Sequence, residues 1–119
     1  MLRVKTFLAP SKINGLGLFA NEDIPKGTVI WTLSGSDIIL NQNQVDCMEE
    51  IEKAFIDKYA FKYKQLYYLC TDDARFMNHS EDTNTDDTAT VHTLAKVDIK
   101  KGEEITCNYA SFDEDFSPD

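Results

Sequence analysis

The chain has 119 residues, 42% hydrophobic and 28% charged, which is the composition of a folded protein with one core and too little length for two ordinary domains of about 100 residues each. Its formal net charge of -9 argues against direct binding of nucleic acid, because phosphate recognition needs clustered Lys and Arg, and suits a cationic partner instead. Acidic pairs at Glu49/Glu50, Asp72/Asp73, Glu81/Asp82 and Asp86/Asp87 would steer a Lys-rich peptide if they line a groove; spread over the surface, they would only keep the chain soluble.

In chain order, residues 3–9 alternate apolar and polar side chains and predict a strand closed by Pro10 and Ser11. Asn14-Gly15 predicts a tight turn, Leu16–Ala20 a second strand and residues 28–33 a third, with Pro25-Lys26-Gly27 turning between them. Asn41 or Asn43 then caps a helical segment in which Val45, Met48, Ile51, Phe55 and Tyr59 recur at helical spacing, a predicted insert over residues 43–63. Leu66–Leu69 and residues 90–95 and 105–108 predict strands, residues 81–87 a loop and residues 110–119 a short tail.

One unit recurs. Ala20, Asp23, Ile24, Lys26, Gly27 and Ile30 are matched in register by Ala95, Asp98, Ile99, Lys101, Gly102 and Ile105. Asp-Ile-x-Lys-Gly is good turn chemistry by itself, but agreement at spaced positions predicts two β units related by a pseudo-twofold axis.

Cys47, Cys70 and Cys107 are odd in number and widely separated, so neither a disulfide framework nor a metal site is expected. No apolar run reaches the length of a signal peptide or a membrane span, and a cytoplasmic or otherwise intracellular location without a membrane partner is expected. Gly15-Leu16-Gly17-Leu18-Phe19-Ala20 matches a dinucleotide fingerprint in form only. The segment after it holds Pro25 and Gly27 and lacks helical periodicity, so no helix N-terminus can meet a pyrophosphate. The glycine pair then either lets a ligand approach the backbone or shapes a hairpin. Asn78-His79-Ser80 makes no hydrolase triad, since sequence neighbours rarely face one another and no nucleophile elbow surrounds Ser80. Trp31 and His92 read as core residues.

Read together, the N-terminal Gly-x-Gly-x-Phe-Ala, the central Arg75-Phe76-Met77-Asn78-His79-Ser80 and the C-terminal Gly102-Glu103-Glu104-Ile105-Thr106-Cys107-Asn108-Tyr109 resemble the landmarks of the SET-domain protein lysine methyltransferases. The resemblance covers nearly the whole chain. It implies a mainly β, β-clip fold of several small twisted sheets over residues 1–119, with one helical insert and a pseudo-knotted C-terminal segment. It also implies S-adenosylmethionine as cofactor, held beside Gly15, Leu16, Gly17, Arg75, Asn78 and His79, and Tyr109 where the methyl group crosses. The substrate implied is the lysine ε-amine of a protein or peptide, a basic histone-like tail among the candidates. Tyr67, Tyr68, Cys107 and Phe112 are expected to wall the lysine channel. The Cys and Pro that usually follow Asn-His-Ser are missing, with only Asn84 retained, and so is the Cys-x-Cys cluster that closes the channel in many relatives. A second copy of the chain, in a homodimer, is a candidate for that closing role. The alternative is a non-catalytic module of the same β architecture that binds the cofactor or a basic peptide.

Overall fold

The computed structural model describes residues 1–87 and 92–109. Three small sheets form. The first hairpin pairs β1 (Thr6–Pro10) with β2 (Leu16–Ala20) antiparallel, Thr6 opposite Ala20 and Pro10 opposite Leu16. On the other edge of β2 lies β10 (Glu104–Cys107), and the two-residue β7 (Asn78–His79) runs parallel to it, giving the order β1-β2-β10-β7. The C-terminal strand is thus inserted between an early strand and the central motif.

The second sheet has the order β3 (Val29–Thr32), β9 (His92–Ala95), β8 (Thr85–Asp86), and the third the order β4 (Ile38–Leu40), β6 (Leu66–Leu69), β5 (Phe61–Tyr63). Leu18, Ile24, Ile30, Ile99 and Ile105 are at most 1% exposed and form the main core. Burying each contributes about 1.5–3 kcal/mol, so this cluster anchors the sheets on which the site is built.

The predicted repeat is realised as a two-way exchange. Ile24 and Ile99 pair through reciprocal backbone hydrogen bonds of 2.7 and 2.8 Å. The Lys26 amide donates to Asp98 at 2.7 Å and the Lys101 amide to Asp23 at 2.9 Å, so each copy's aspartate caps the other copy's turn. Both turns end on a glycine in the left-handed region, Gly27 at φ 87° and Gly102 at φ 93°, where a side chain would be strained. Asp23→Ala and Asp98→Ala are each expected to cost about 1 kcal/mol, in near-equal amounts, by urea denaturation; a large asymmetry would contradict the equivalence of the two turns.

The helical insert differs from the sequence expectation. It is two helices, α1 (Gln42–Asp46) and α2 (Glu50–Tyr59), and residues 61–63 turn into β5 instead of continuing the helix. Asn41 is the cap of α1: its side chain accepts from the Gln44 amide while Gln44 reaches back to the Asn41 amide. The apolar face was also misjudged. Ile51 is 77% and Phe55 40% exposed, while Ile56, outside the expected series, is buried with Val45 and Leu69. After Tyr59, aromatic residues favour the pleated surface, and β5 and β6 close around Lys64 and Gln65, both at positive φ, a tight hairpin turn without glycine. Strands β4, β5, β7 and β8 were not predicted, and β8 lies inside the segment read as a loop. Residues 90–91 of the strand predicted over residues 90–95, and the tail, lie outside the described residues.

Candidate functional site

The parallel pairing of β7 with β10 puts the central and C-terminal motifs side by side, Asn78 opposite Thr106 and His79 opposite Cys107. Met77 enters this pair from a 3-10 turn, Asp73–Phe76, whose cap Asp72 accepts from the Ala74 amide and ties the turn to the N-terminus through the Leu2 amide. One residue beyond Asn108, Tyr109 donates its amide to His79 Nδ1 at 3.1 Å and its hydroxyl to the Met77 carbonyl at 2.5 Å. Its ring lies 5.4 Å from the His79 imidazole. Both ends of Tyr109 are therefore held by the central motif.

Asn78 is buried and binds the N-terminal motif. Its Nδ2 donates to the carbonyls of Asn14 and Leu16 at 3.1 and 3.2 Å and to Glu104 Oε2 at 3.0 Å. Glu104 also accepts from Ser11 Oγ at 2.8 and 2.9 Å. A Cβ on Gly17 would stand 2.4 Å from the Glu104 carboxylate, so this glycine lets an acid approach the strand and its smallness serves the scaffold. Gly15, at φ 46°, faces open space, and Leu16 beside it is 47% exposed. The asparagine thus shapes the loop, and the loop's open surface is left for a ligand. Glu104 was missed in the sequence because an acid after a Gly-Glu turn reads as an ordinary strand entry; its burial beside a glycine emerges only from the pairing of β10 with β2.

The missing Cys and Pro are compensated locally. Thr83 Oγ1 and Thr85 Oγ1 both donate to the Thr106 carbonyl, at 2.7 and 2.6 Å. Asn84 donates to the Glu104 carbonyl at 2.8 Å and accepts from the Thr106 amide at 3.0 Å. This loop clamps β10 in place.

Behind Tyr109 opens a cavity of about 100 Å³, the scale of a side chain and below the several hundred Å³ of typical small-molecule sites. Its aromatic walls are Trp31, Tyr59, Phe61 and Tyr109, and Arg75, Met77 and Cys107 also line it. Tyr67 and Tyr68, expected on this wall, do not line it. Tyr67 sends its hydroxyl to Gln42 Oε1 at 2.9 Å, and Tyr68 stacks on Phe61 at 5.1 Å, because β6 sits at the centre of the third sheet and directs them to its neighbours. Phe112 lies outside the described residues. Trp31, read as a core residue, is buried but lines the cavity, and its Nε1 has no hydrogen-bond partner among the described residues. Arg75 stands with the cavity and not with the glycine loop, its guanidinium over the Phe55 ring at 5.8 Å and bonded to the Thr71 carbonyl at 3.3 Å.

Titration in the cavity is set by burial. Cys70 is pushed up to about 12 by desolvation and by the charges of Asp37 and Asp72, and Cys107 is held well above the ordinary thiol range by burial and by Asp87. Both remain neutral thiols and unsuited to nucleophilic work at neutral pH. Asp87 is raised by burial, opposed by hydrogen bonds from Thr93 and Thr85.

Asn78 thus ties the glycine loop to the strand that carries His79, His79 holds Tyr109, and Tyr109 lines the cavity, so loop, motifs and cavity form one connected cluster. No curated protein matches the sequence. Among solved structures, a candidate histone methyltransferase from Plasmodium falciparum shares the fold with a TM-score of 0.63 at 20% identity, over 91% of this chain and 95% of that one. The family model described as SET domain matches residues 15–110, a span that runs from the glycine loop through the Asn78-Tyr109 cluster, and the chain belongs to that family.

Proposed function

We propose that the chain is an S-adenosylmethionine-dependent protein lysine N-methyltransferase acting on a basic peptide segment. The observation that carries this reading is Tyr109, fixed at its amide by His79 and at its hydroxyl by Met77, on the wall of an aromatic cavity that suits one extended side chain. Family membership supports methyl transfer in general, and the open glycine loop and the aromatic cavity support the cofactor and the substrate.

The residues fit such a cofactor. Carbonyl oxygens of Asn14, Leu16 and Met77 and the rings of His79 and Tyr109 present electron-rich groups suited to a sulfonium, and the open face at Gly15 admits a ligand against backbone. Gly15, Leu16 and His79 would hold it, with Asn78 fixing their loop. When bound, it supplies an electrophilic methyl group.

The chain's own work concerns the amine. A lysine of pKa about 10.4 must shed a proton before its lone pair can attack, at a cost of about 4–5 kcal/mol at neutral pH. An aromatic cavity disfavours the charged form and lowers that cost. Because the Tyr109 proton is given to Met77, the phenol oxygen acts as an acceptor, which orients an amine N–H and aims the nitrogen lone pair along one line. Trp31, Tyr59 and Phe61 exclude water from the stem.

Calorimetry with S-adenosylmethionine and its demethylated product tests the cofactor assignment. Both should bind, and Leu16→Asp, which puts a charge on the open loop, should weaken binding at least about tenfold with little loss of stability; no binding by the wild type would remove the proposal.

A further inference from the structure

The cavity behind Tyr109 is not uniformly apolar. Its lining includes Asp87, a half-buried acid one residue past β8, together with the buried Thr93 and Cys107. Asp87 accepts from Thr93 Oγ1 at 2.5 Å, a neutral donor, while Thr85 Oγ1 stands 3.3 Å away with its hydrogen given to the Thr106 carbonyl. Among the described residues no cation lies within ion-pair distance of it. Two cations share the cavity, but Lys58 is an exposed residue with its ammonium over the Tyr59 ring at 5.1 Å, and Arg75 is spent on Phe55 and Thr71.

A carboxylate held in such a place without a counter-charge is expensive, and a cationic group arriving beside it offsets that cost. The fixed hydroxyl of Thr93 sets its orientation in advance. Burial also raises Asp87 above the ordinary carboxylate range, so the incoming charge relieves a destabilised anion.

From this geometry we infer that Asp87 is the substrate-reading residue of the cavity, an acidic wall that pairs with the ammonium of an entering alkylamine and rejects a neutral chain of the same length. The inference rests on the lysine reading of the site but concerns a contact that needs neither cofactor nor methyl transfer.

The test uses the full chain and its one tryptophan, Trp31, which lines the same cavity and reports occupancy by fluorescence. n-Butylammonium chloride, the lysine side chain without its backbone, is titrated at fixed ionic strength beside 1-butanol, its neutral counterpart. The wild type should respond saturably to the cation and bind it at least about tenfold more tightly than the alcohol. Asp87→Asn should abolish that preference, leaving both ligands equally weak, and Asp87→Glu should retain a preference for the cation. Equal binding of cation and alcohol by the wild type, or an unchanged preference in Asp87→Asn, would overturn the inference, as would the absence of any saturable response to the cation. Because the wild-type comparison decides without a variant, a misfolded substitution does not protect the idea. Methyl transfer is read separately, so its failure and that of Asp87 are distinguishable.

Discussion

Tyr109→Phe is expected to keep cofactor binding within about threefold of the wild type and to lower kcat for lysine methylation by about a hundredfold or more. The phenol oxygen is the acceptor that orients the amine, and its proton is fixed on the Met77 carbonyl at 2.5 Å, so its removal takes away an interaction made at the reacting centre and little else from the cofactor side. The backbone N–H of Tyr109 still reaches His79 Nδ1, and the ring still packs there. Loss of the hydroxyl also leaves a buried carbonyl without that donor, a stability cost of about 1–3 kcal/mol, so thermal unfolding belongs beside the kinetics. Full residual activity in a folded variant would remove the assigned role.

The second large effect is on the scaffold. Asn78→Ala is expected to destabilise the fold by about 2–4 kcal/mol in urea denaturation, more than other single polar truncations near the site. Its amide nitrogen has two hydrogens for three acceptors, the Asn14 and Leu16 carbonyls and Glu104, and the charged acceptor gains most from them. Without Asn78 the Glu104 carboxylate, packed against Gly17, keeps Ser11 alone of these donors. Ser11→Ala should cost less, about 1 kcal/mol, because Asn78 remains. A double-mutant cycle of Asn78→Ala with Glu104→Gln should show a coupling of about 1–3 kcal/mol; additivity would mean that the two groups do not act as a unit.

Much of this was legible in the chain. Leu16–Ala20 and Leu66–Leu69 emerge with the bounds read from the sequence, and the recurrent Asp-Ile-x-Lys-Gly turn becomes the reciprocal capping of Asp23 and Asp98. Those features are local, or rest on a pattern repeated in register. What was not legible depends on contacts distant in sequence. The two-residue strands β7 and β8 carry no periodicity of their own and exist because β10 and β9 lie beside them. The helix phase was misread because Ile51 and Phe55 fit a helical stripe, while the sheet that covers α2 selects Ile56. For the site, the juxtaposition of Asn78, His79 and Tyr109 follows the motifs, whereas the cavity walls do not. Tyr67 and Tyr68 are aromatic and near in sequence to the motif, but strand pairing turns them elsewhere; Trp31 arrives from β3 with no local signal to mark it, and Asp87, just past β8, is marked only as one of several acidic pairs.

The most direct measurement of the central claim is mass spectrometry of a Lys-rich peptide mixture incubated with the folded chain and S-adenosylmethionine. The expected result is a mass gain of whole methyl groups confined to lysine, lost in Tyr109→Phe. Cofactor binding without any methylated lysine, across basic peptides and total protein from the source, would contradict an enzyme and leave a binding module in its place.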